Sequence, residues 1–205
     1  SGLVLGNLGF THCCIEDIGI LRSIPNIQII SPADSLETIK ALNAAVVSKK
    51  STYIRLTGSS NNPIVYKEDY NFKIGKSVKL KTGSDISIFS TGAMVSTSLE
   101  VAKKLEESKI SSNVINMHTI KPIDEEAIND AVLKSKLIIS VEEHNIIGGL
   151  GSAISEQIVK TKNNVKMLSI GINDHYVKGG SYDYLKNRYE LSADKIVNKI
   201  LKNFK

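Results

Sequence analysis

Tryptophan is absent, aromatic residues make up 5% of the 205-residue chain, and cysteine occurs only at the adjacent positions Cys13 and Cys14. Neighbouring cysteines have poor geometry for a structural disulfide, and without a second spaced pair they do not make a zinc site. No uninterrupted apolar run reaches the ~18 residues of a membrane span, and no basic-flanked h-region marks an export signal. The expectation is a cytoplasmic protein with no membrane partner. The lysines behind the net charge of +5 are scattered among acidic residues. No basic patch interleaved with aromatics accompanies them, so nucleic acid is not an expected partner. Low-complexity tracts and solenoid repeats are missing too.

What is present suits a folded core. Apolar residues account for 41% of the chain, enough for one large domain or two small ones. A half-length strand, Leu3-Val4-Leu5, is followed by the glycine-punctuated loop Gly6 to His12 and a helix carrying Ile15, Ile18 and Leu21. Because little chain precedes that strand, the sequence reads as beginning inside a domain. Ile27–Ile30 is a strand. Ser31-Pro32-Ala33-Asp34 opens a second helix, with Asp34 as N-cap, Glu37 three residues on, and Leu36, Ile39, Leu42 and Val46 as its buried face. Thr52–Leu56 completes a βαβαβ order that favours a parallel sheet.

Residues 58–84 read as a linker with a possible hairpin made of Ile64–Tyr66 and Ser77–Leu80. A second α/β series follows: strand 86–90, helix 94–107, strand 113–117, helix 124–134 and strand 137–141. Helix 150–160, strand 165–170 and helices 181–188 and 193–203 complete it. Val95, Leu99, Ala102 and Leu105 form the inner stripe of its first helix, and Leu137-Ile138-Ile139 reads as a strand covered on both faces.

Several residues carry possible chemistry. His12, at a strand end in an α/β layout, is placed either to exchange protons with a polar ligand or merely to decorate a loop. Cys13 and Cys14 read as first-turn residues, reactive by the helix dipole or simply packed. Arg55 follows an apolar strand and precedes Gly58-Ser59-Ser60-Asn61-Asn62, a place for a fork that holds phosphate or carboxylate, or for an interdomain salt bridge. Gly148-Gly149-Leu150-Gly151 after Glu142-Glu143-His144 offers either an anion-attracting helix N-terminus or close packing against a neighbouring domain. His118, ahead of the N-cap Asp124, reads as structural. His175 and Tyr176 draw no chemical assignment, and no metal cluster or nucleophile–base set can be assembled.

Taken in order, these stretches resemble the C-terminal part of the transketolase family. Gly9-Phe10-Thr11-His12 with Ile15-Glu16-Asp17-Ile18 is similar to the family's G-x-T-H and its helix. Ile24-Pro25-Asn26, Ser31-Pro32-Ala33-Asp34, Tyr53-Ile54-Arg55-Leu56, Asn116 to Asp124 and Val141 to Gly151 resemble its later motifs. The resemblance implies an α/β fold: residues 1–57 as the latter part of a thiamine-diphosphate pyrimidine-binding domain, 58–84 as linker, and 85–205 as a complete C-terminal domain with a mostly parallel sheet. It implies transfer of a two-carbon ketol unit from a ketose to an aldose. His12 would contact the sugar and assist its proton transfers, and Arg55 would hold a substrate phosphate.

The same resemblance places thiamine diphosphate and a divalent metal, Mg or Ca, in a full assembly with an N-terminal transketolase domain or subunit, and implies an oligomer. The activating glutamate and the diphosphate ligands would lie outside this chain, which alone is expected neither to bind cofactor nor to turn over. Leu8 stands where many relatives carry an aspartate that recognises a sugar hydroxyl, and Phe10 where proline is common, so the accepted sugar is expected to differ. Alternatives are a relative such as deoxyxylulose-phosphate synthase or the β subunit of a 2-oxoacid dehydrogenase, and a non-catalytic oligomerisation or regulatory module.

Overall fold

In the computed structural model, which describes residues 1–57 and 63–204, the chain opens on a 3-10 helix, Gly6–Thr11. Then come α1 (Asp17–Arg22), β1 (Gln28–Ile30), α2 (Ser35–Ser48) and β2 (Thr52–Ile54). The middle holds β3 (Val78–Lys81), β4 (Ile86–Ser90), α3 (Met94–Glu107), β5 (Ser112–Asn116), β6 (Thr119–Lys121) and α4 (Glu125–Lys134). The chain closes with β7 (Leu137–Asn145), α5 (Leu150–Lys160), β8 (Lys166–Ile172), α6 (Tyr182–Arg188) and α7 (Ala193–Phe204).

Five strands form the main sheet in the order β3-β5-β4-β7-β8, parallel except for the edge strand β3. Every residue of β4 is buried, as expected of a strand with helices on both faces. Ile88, Ile139 and Ile170 pack with Val101, Leu105, Ile196 and Ile200 in one cluster, and Phe89, Ile115 and Ile138 with Ile128, Leu150 and Ile154 in another. Val95, Ala102 and Leu105 are buried as read and Leu99 is half-buried. Among the described residues no helix is long and apolar enough to cross a membrane.

The first part departs from the expected βαβαβ order. Leu3-Val4-Leu5 is a turn: Leu3 is buried, but its amide donates to Glu143 Oε2 at 2.9 Å and not to a neighbouring strand. What remains is one βαβ unit, β1-α2-β2, with its strands parallel. Its sheet gains a third member from later in the chain, because β6, which sequence reading missed, pairs antiparallel with β1. A three-residue strand ending in Lys-Pro carries too little periodicity to stand out.

Asp34 caps α2 as expected, accepting the Glu37 amide at 2.9 Å, and its other oxygen accepts the amides of Val65 and Tyr66, each at 2.9 Å. Those amides go to a carboxylate and not to a hairpin; β3 pairs with β5 instead. The loop Gly58 to Asn62 lies outside the described residues. The expected buried face of α2 is also corrected. Ile39, Leu42 and Val46 are 58%, 50% and 79% exposed, while Glu37 and Ala41 are buried. The cause is polar: Glu37 turns inward to accept the Ala33 amide (2.6 Å), both-oxygen contacts from Asn116 Nδ2 (2.9 Å each) and the Tyr70 hydroxyl. Turning Glu37 inward carries the aliphatic stripe outward, since the two lie on different sides of a 3.6-residue helix.

Candidate functional site

The His12 loop is shaped by Gly9, whose φ of 68° and ψ of −159° break the 3-10 helix in a region that L side chains avoid. The Gly9 carbonyl then accepts the amides of His12 (3.0 Å) and Cys13 (3.1 Å). His12 therefore ends this short helix and does not begin α1, which starts at Asp17. Its ring is exposed, with Nδ1 2.9 Å from Thr11 Oγ1. The Thr11 hydroxyl donates its one proton to the Leu8 carbonyl at 3.1 Å, so it accepts from Nδ1–H and leaves Nε2 as the imidazole's open acceptor. Leu5, Leu8 and Phe10 form an exposed apolar rim, and Phe10 meets Tyr176 at 5.8 Å between ring centroids.

Cys13 is buried in the core, and the Cys14 carbonyl accepts from Gly2 N at 2.8 Å and Arg55 Nη2 at 3.2 Å. Neither cysteine sits in a helical turn, and burial pushes both thiols up, Glu143 adding to it for Cys13 and Asp17 for Cys14. Packing is their role.

Arg55 is 1% exposed. Its Nε reaches both Asp17 oxygens, at 3.1 and 2.9 Å, and its Nη2 donates to the carbonyls of Cys14 (3.2 Å) and Glu143 (3.1 Å). The expected phosphate fork is thus placed as a buried ion pair that ties α1, β2 and β7 together. Arg55 grips the backbone two residues beyond His12 but makes no contact with the His12 ring among the described residues. Burial alone would raise the Asp17 carboxyl; the Arg55 charge and hydrogen bonds, with the Tyr53 hydroxyl at 2.8 Å, outweigh it and hold that group below the usual carboxylate range. Beside it His144 Nε2 accepts from Gly19 N at 3.3 Å while Nδ1 donates to Asn145 O at 2.7 Å. Because Nε2 accepts an amide proton while Nδ1 donates, the ring in this arrangement is the neutral tautomer, and burial lowers its pKa.

Sequence reading assigned no role to Glu142 or Glu143, and both are buried inside β7. The signal was a charged run directly continuing an apolar strand. Glu143 accepts Leu3 N through Oε2 and the Tyr182 hydroxyl through Oε1 (2.6 Å), and Gly180 N donates to Gly6 O at 2.9 Å. The second half of the chain thereby holds the His12 loop in place. Glu142 accepts the amides of Leu150 (2.6 Å) and Gly151 (2.8 Å), filling the N-terminus of α5, so of the two readings of this glycine run, anion attraction or close packing, the structure favours packing. Gly148 has φ +78°, and a Cβ there would lie 2.9 Å from Gly19 Cα on α1. His118 is structural as read, buried and stacked on Phe72 at 4.2 Å, with burial lowering its pKa to about 4.

Burial pushes Glu142 up to about 7 against the pull of those two amides. A raised folded-state pKa stabilises most below the unfolded value, ~4.5, and that contribution is lost as pH rises through about 7. Relative to Glu142→Gln, the wild type is expected to lose roughly 3 kcal/mol between pH 4.5 and 7.5. Urea unfolding of both proteins across that range measures it; a constant difference would assign the slope to other groups.

A cleft of about 320 Å³ opens beside the loop, lined by Ile15, Glu16, Asn145, Asp174, His175 and Tyr176. His175 and Tyr176, passed over in the sequence, thus border the candidate site.

Comparison with known proteins gives a consistent result. Residues 75–196 match the family model "Transketolase, C-terminal domain" and residues 1–62 match "Transketolase, pyrimidine binding domain". A "Putative transketolase C-terminal section" from Methanocaldococcus jannaschii is 38% identical over 100% of this chain and 64% of its own length. An apulose-4-phosphate transketolase subunit from Actinobacillus succinogenes is 35% identical over 97% of this chain and 64% of that protein. Among solved structures, "Split gene transketolase, inactive beta4 tetramer" superposes with a TM-score of 0.86 at 34% identity, covering 94% of this chain and 62% of the other. The chain therefore spans just under two thirds of the length of these relatives.

Proposed function

Because the chain belongs to the transketolase family, we propose that it is the sugar-contacting part of an assembly that moves a two-carbon ketol unit from a ketose to an aldose. The observation that carries this is the open Nε2 of His12, on a loop anchored through Glu143, Gly180 and Arg55. An imidazole fixed at Nδ1 and free at Nε2 can accept a hydrogen bond from a sugar hydroxyl and take up its proton. The side chains of the apolar rim, Leu5, Leu8 and Phe10, offer no acceptor to a sugar hydroxyl, so the preferred sugar lacks a hydroxyl there or carries an apolar group.

Thiamine diphosphate and its divalent metal are assigned to an N-terminal domain or subunit. The described residues do not suit them: the glycine-rich N-terminus of α5 is filled by Glu142, and among the described residues no three metal-ligating side chains converge. Arg55 acts as a positioning residue, since it is buried with Nε on Asp17 and Nη2 on the Cys14 and Glu143 carbonyls. The Actinobacillus relative is named as a subunit and the solved split-gene relative is a tetramer, and both support an oligomeric assembly.

The test is reconstitution. Mixing this chain with an N-terminal transketolase subunit, thiamine diphosphate and magnesium is expected to give ketose-to-aldose transfer that neither chain shows alone. A stable complex that stays inert across ketose donors would favour the non-catalytic module instead.

A further inference from the structure

The amino ends of β1 and β2 frame a second cleft, of about 600 Å³, within the size range of small-molecule sites. It lies at the opposite end of these strands from the His12 loop: Arg55 follows β2 and braces Cys14, whereas Ser51 precedes β2 and borders this cleft. Its wall carries Lys49, Lys50 and Lys121, with Asn26, Ile27 and Pro122 between them, and no carboxylate. Lys121 Nζ is fixed by the carbonyls of Arg22 (2.8 Å) and Ile24 (2.6 Å), which hold its charge in place without neutralising it.

The backbone adds to this. Lys49 ends α2 with φ 53° and ψ 24°, a left-handed position where glycine is usual, and Asn26 across the cleft has φ 62°. Lys109 and Glu190 also turn left-handed after helices, and there the following amide closes the turn: Ile110 N onto Leu105 O at 3.0 Å, Leu191 N onto Lys186 O at 2.7 Å. After Lys49 the turn stays open. The Ser48 hydroxyl lies within donating reach of the Ala45 carbonyl (2.8 Å) and Gln28 Oε1 (2.9 Å), and its oxygen accepts the Lys50 amide at 3.3 Å, so that amide turns to a side chain and not back onto the helix. A right-handed residue followed by a left-handed one turns successive N–H groups to one side, a concavity that receives anions. Lysines at a helix C-terminus offset the dipole's negative end, but a third lysine, Lys121, on the same cleft exceeds that need.

We propose that this cleft binds a small anion bearing more than one phosphate, at a site separate from the His12 loop. Inorganic pyrophosphate titrated calorimetrically into the full chain is expected to bind saturably, one per chain, with affinity that falls as sodium chloride is raised. Glycine suits the backbone at Lys49, so the Lys49→Gly, Lys50→Gln double variant keeps the fold and is expected to weaken binding at least tenfold. His12→Ala is expected to bind pyrophosphate as the wild type does. Absence of saturable binding to the wild type, equal affinity in the double variant, or an equal loss in His12→Ala would each overturn the proposal.

Discussion

Arg55→Leu is expected to destabilise the protein by about 3–5 kcal/mol, because it strands the Asp17 carboxylate in the interior without its cation. Asp17 is 7% exposed, and the Tyr53 hydroxyl and the His144 ring, which remain beside it, carry no formal charge to replace the guanidinium. The Glu143 carbonyl loses the Arg55 donor in the same substitution, at a desolvation cost of its own, whereas the Cys14 carbonyl keeps the Gly2 amide. Urea denaturation measures the loss. Pairing the change with Asp17→Asn provides the control: if the ion pair is the cause, the double variant is more stable than the sum of the single effects predicts. A phosphate-anchoring Arg55 would behave differently, raising KM for phosphorylated sugars while leaving the unfolding midpoint in place.

His12→Ala has the opposite profile. In the reconstituted assembly it is expected to lower kcat by roughly 10²–10⁴, the range for a positioned proton-transfer group, with the unfolding midpoint unchanged because the ring is exposed. Thr11→Val separates the tautomer from the ring itself. It removes the hydroxyl that receives Nδ1–H, so a smaller fall in kcat is expected with His12 still present. Wild-type turnover in His12→Ala would make this histidine ornamental and move the search to the cleft bordered by Glu16, Asp174 and His175.

Much of the architecture was legible because long elements repeat their pattern several times. Met94–Glu107 and Leu150–Lys160 carry enough turns for an apolar stripe to show, and β4 and the first half of β7 are mostly apolar. The three-residue β6 has no such redundancy. The α2 face was misassigned for a different reason: a buried carboxylate set the helix rotation, and apolar periodicity assumes that aliphatic residues do so. The site divided along the same line. His12 and Arg55 were visible as single residues in loop positions, but the partner of Arg55 was not, since an aspartate 38 positions away and a glutamate 88 away become neighbours only through the strand order.

The pairing of β6 with β1 also separates the genetic boundary of the two domains from their mechanical one. Ile29 and Ile30 share a ladder with Lys121 and Thr119, and Ser31 N donates to His118 O at 2.8 Å. Severing the backbone between Thr57 and Pro63 would therefore not release the first segment as an independent body. The two pieces would remain hydrogen-bonded as a complementing pair, and a gene split at that point would encode halves that must meet to complete a sheet.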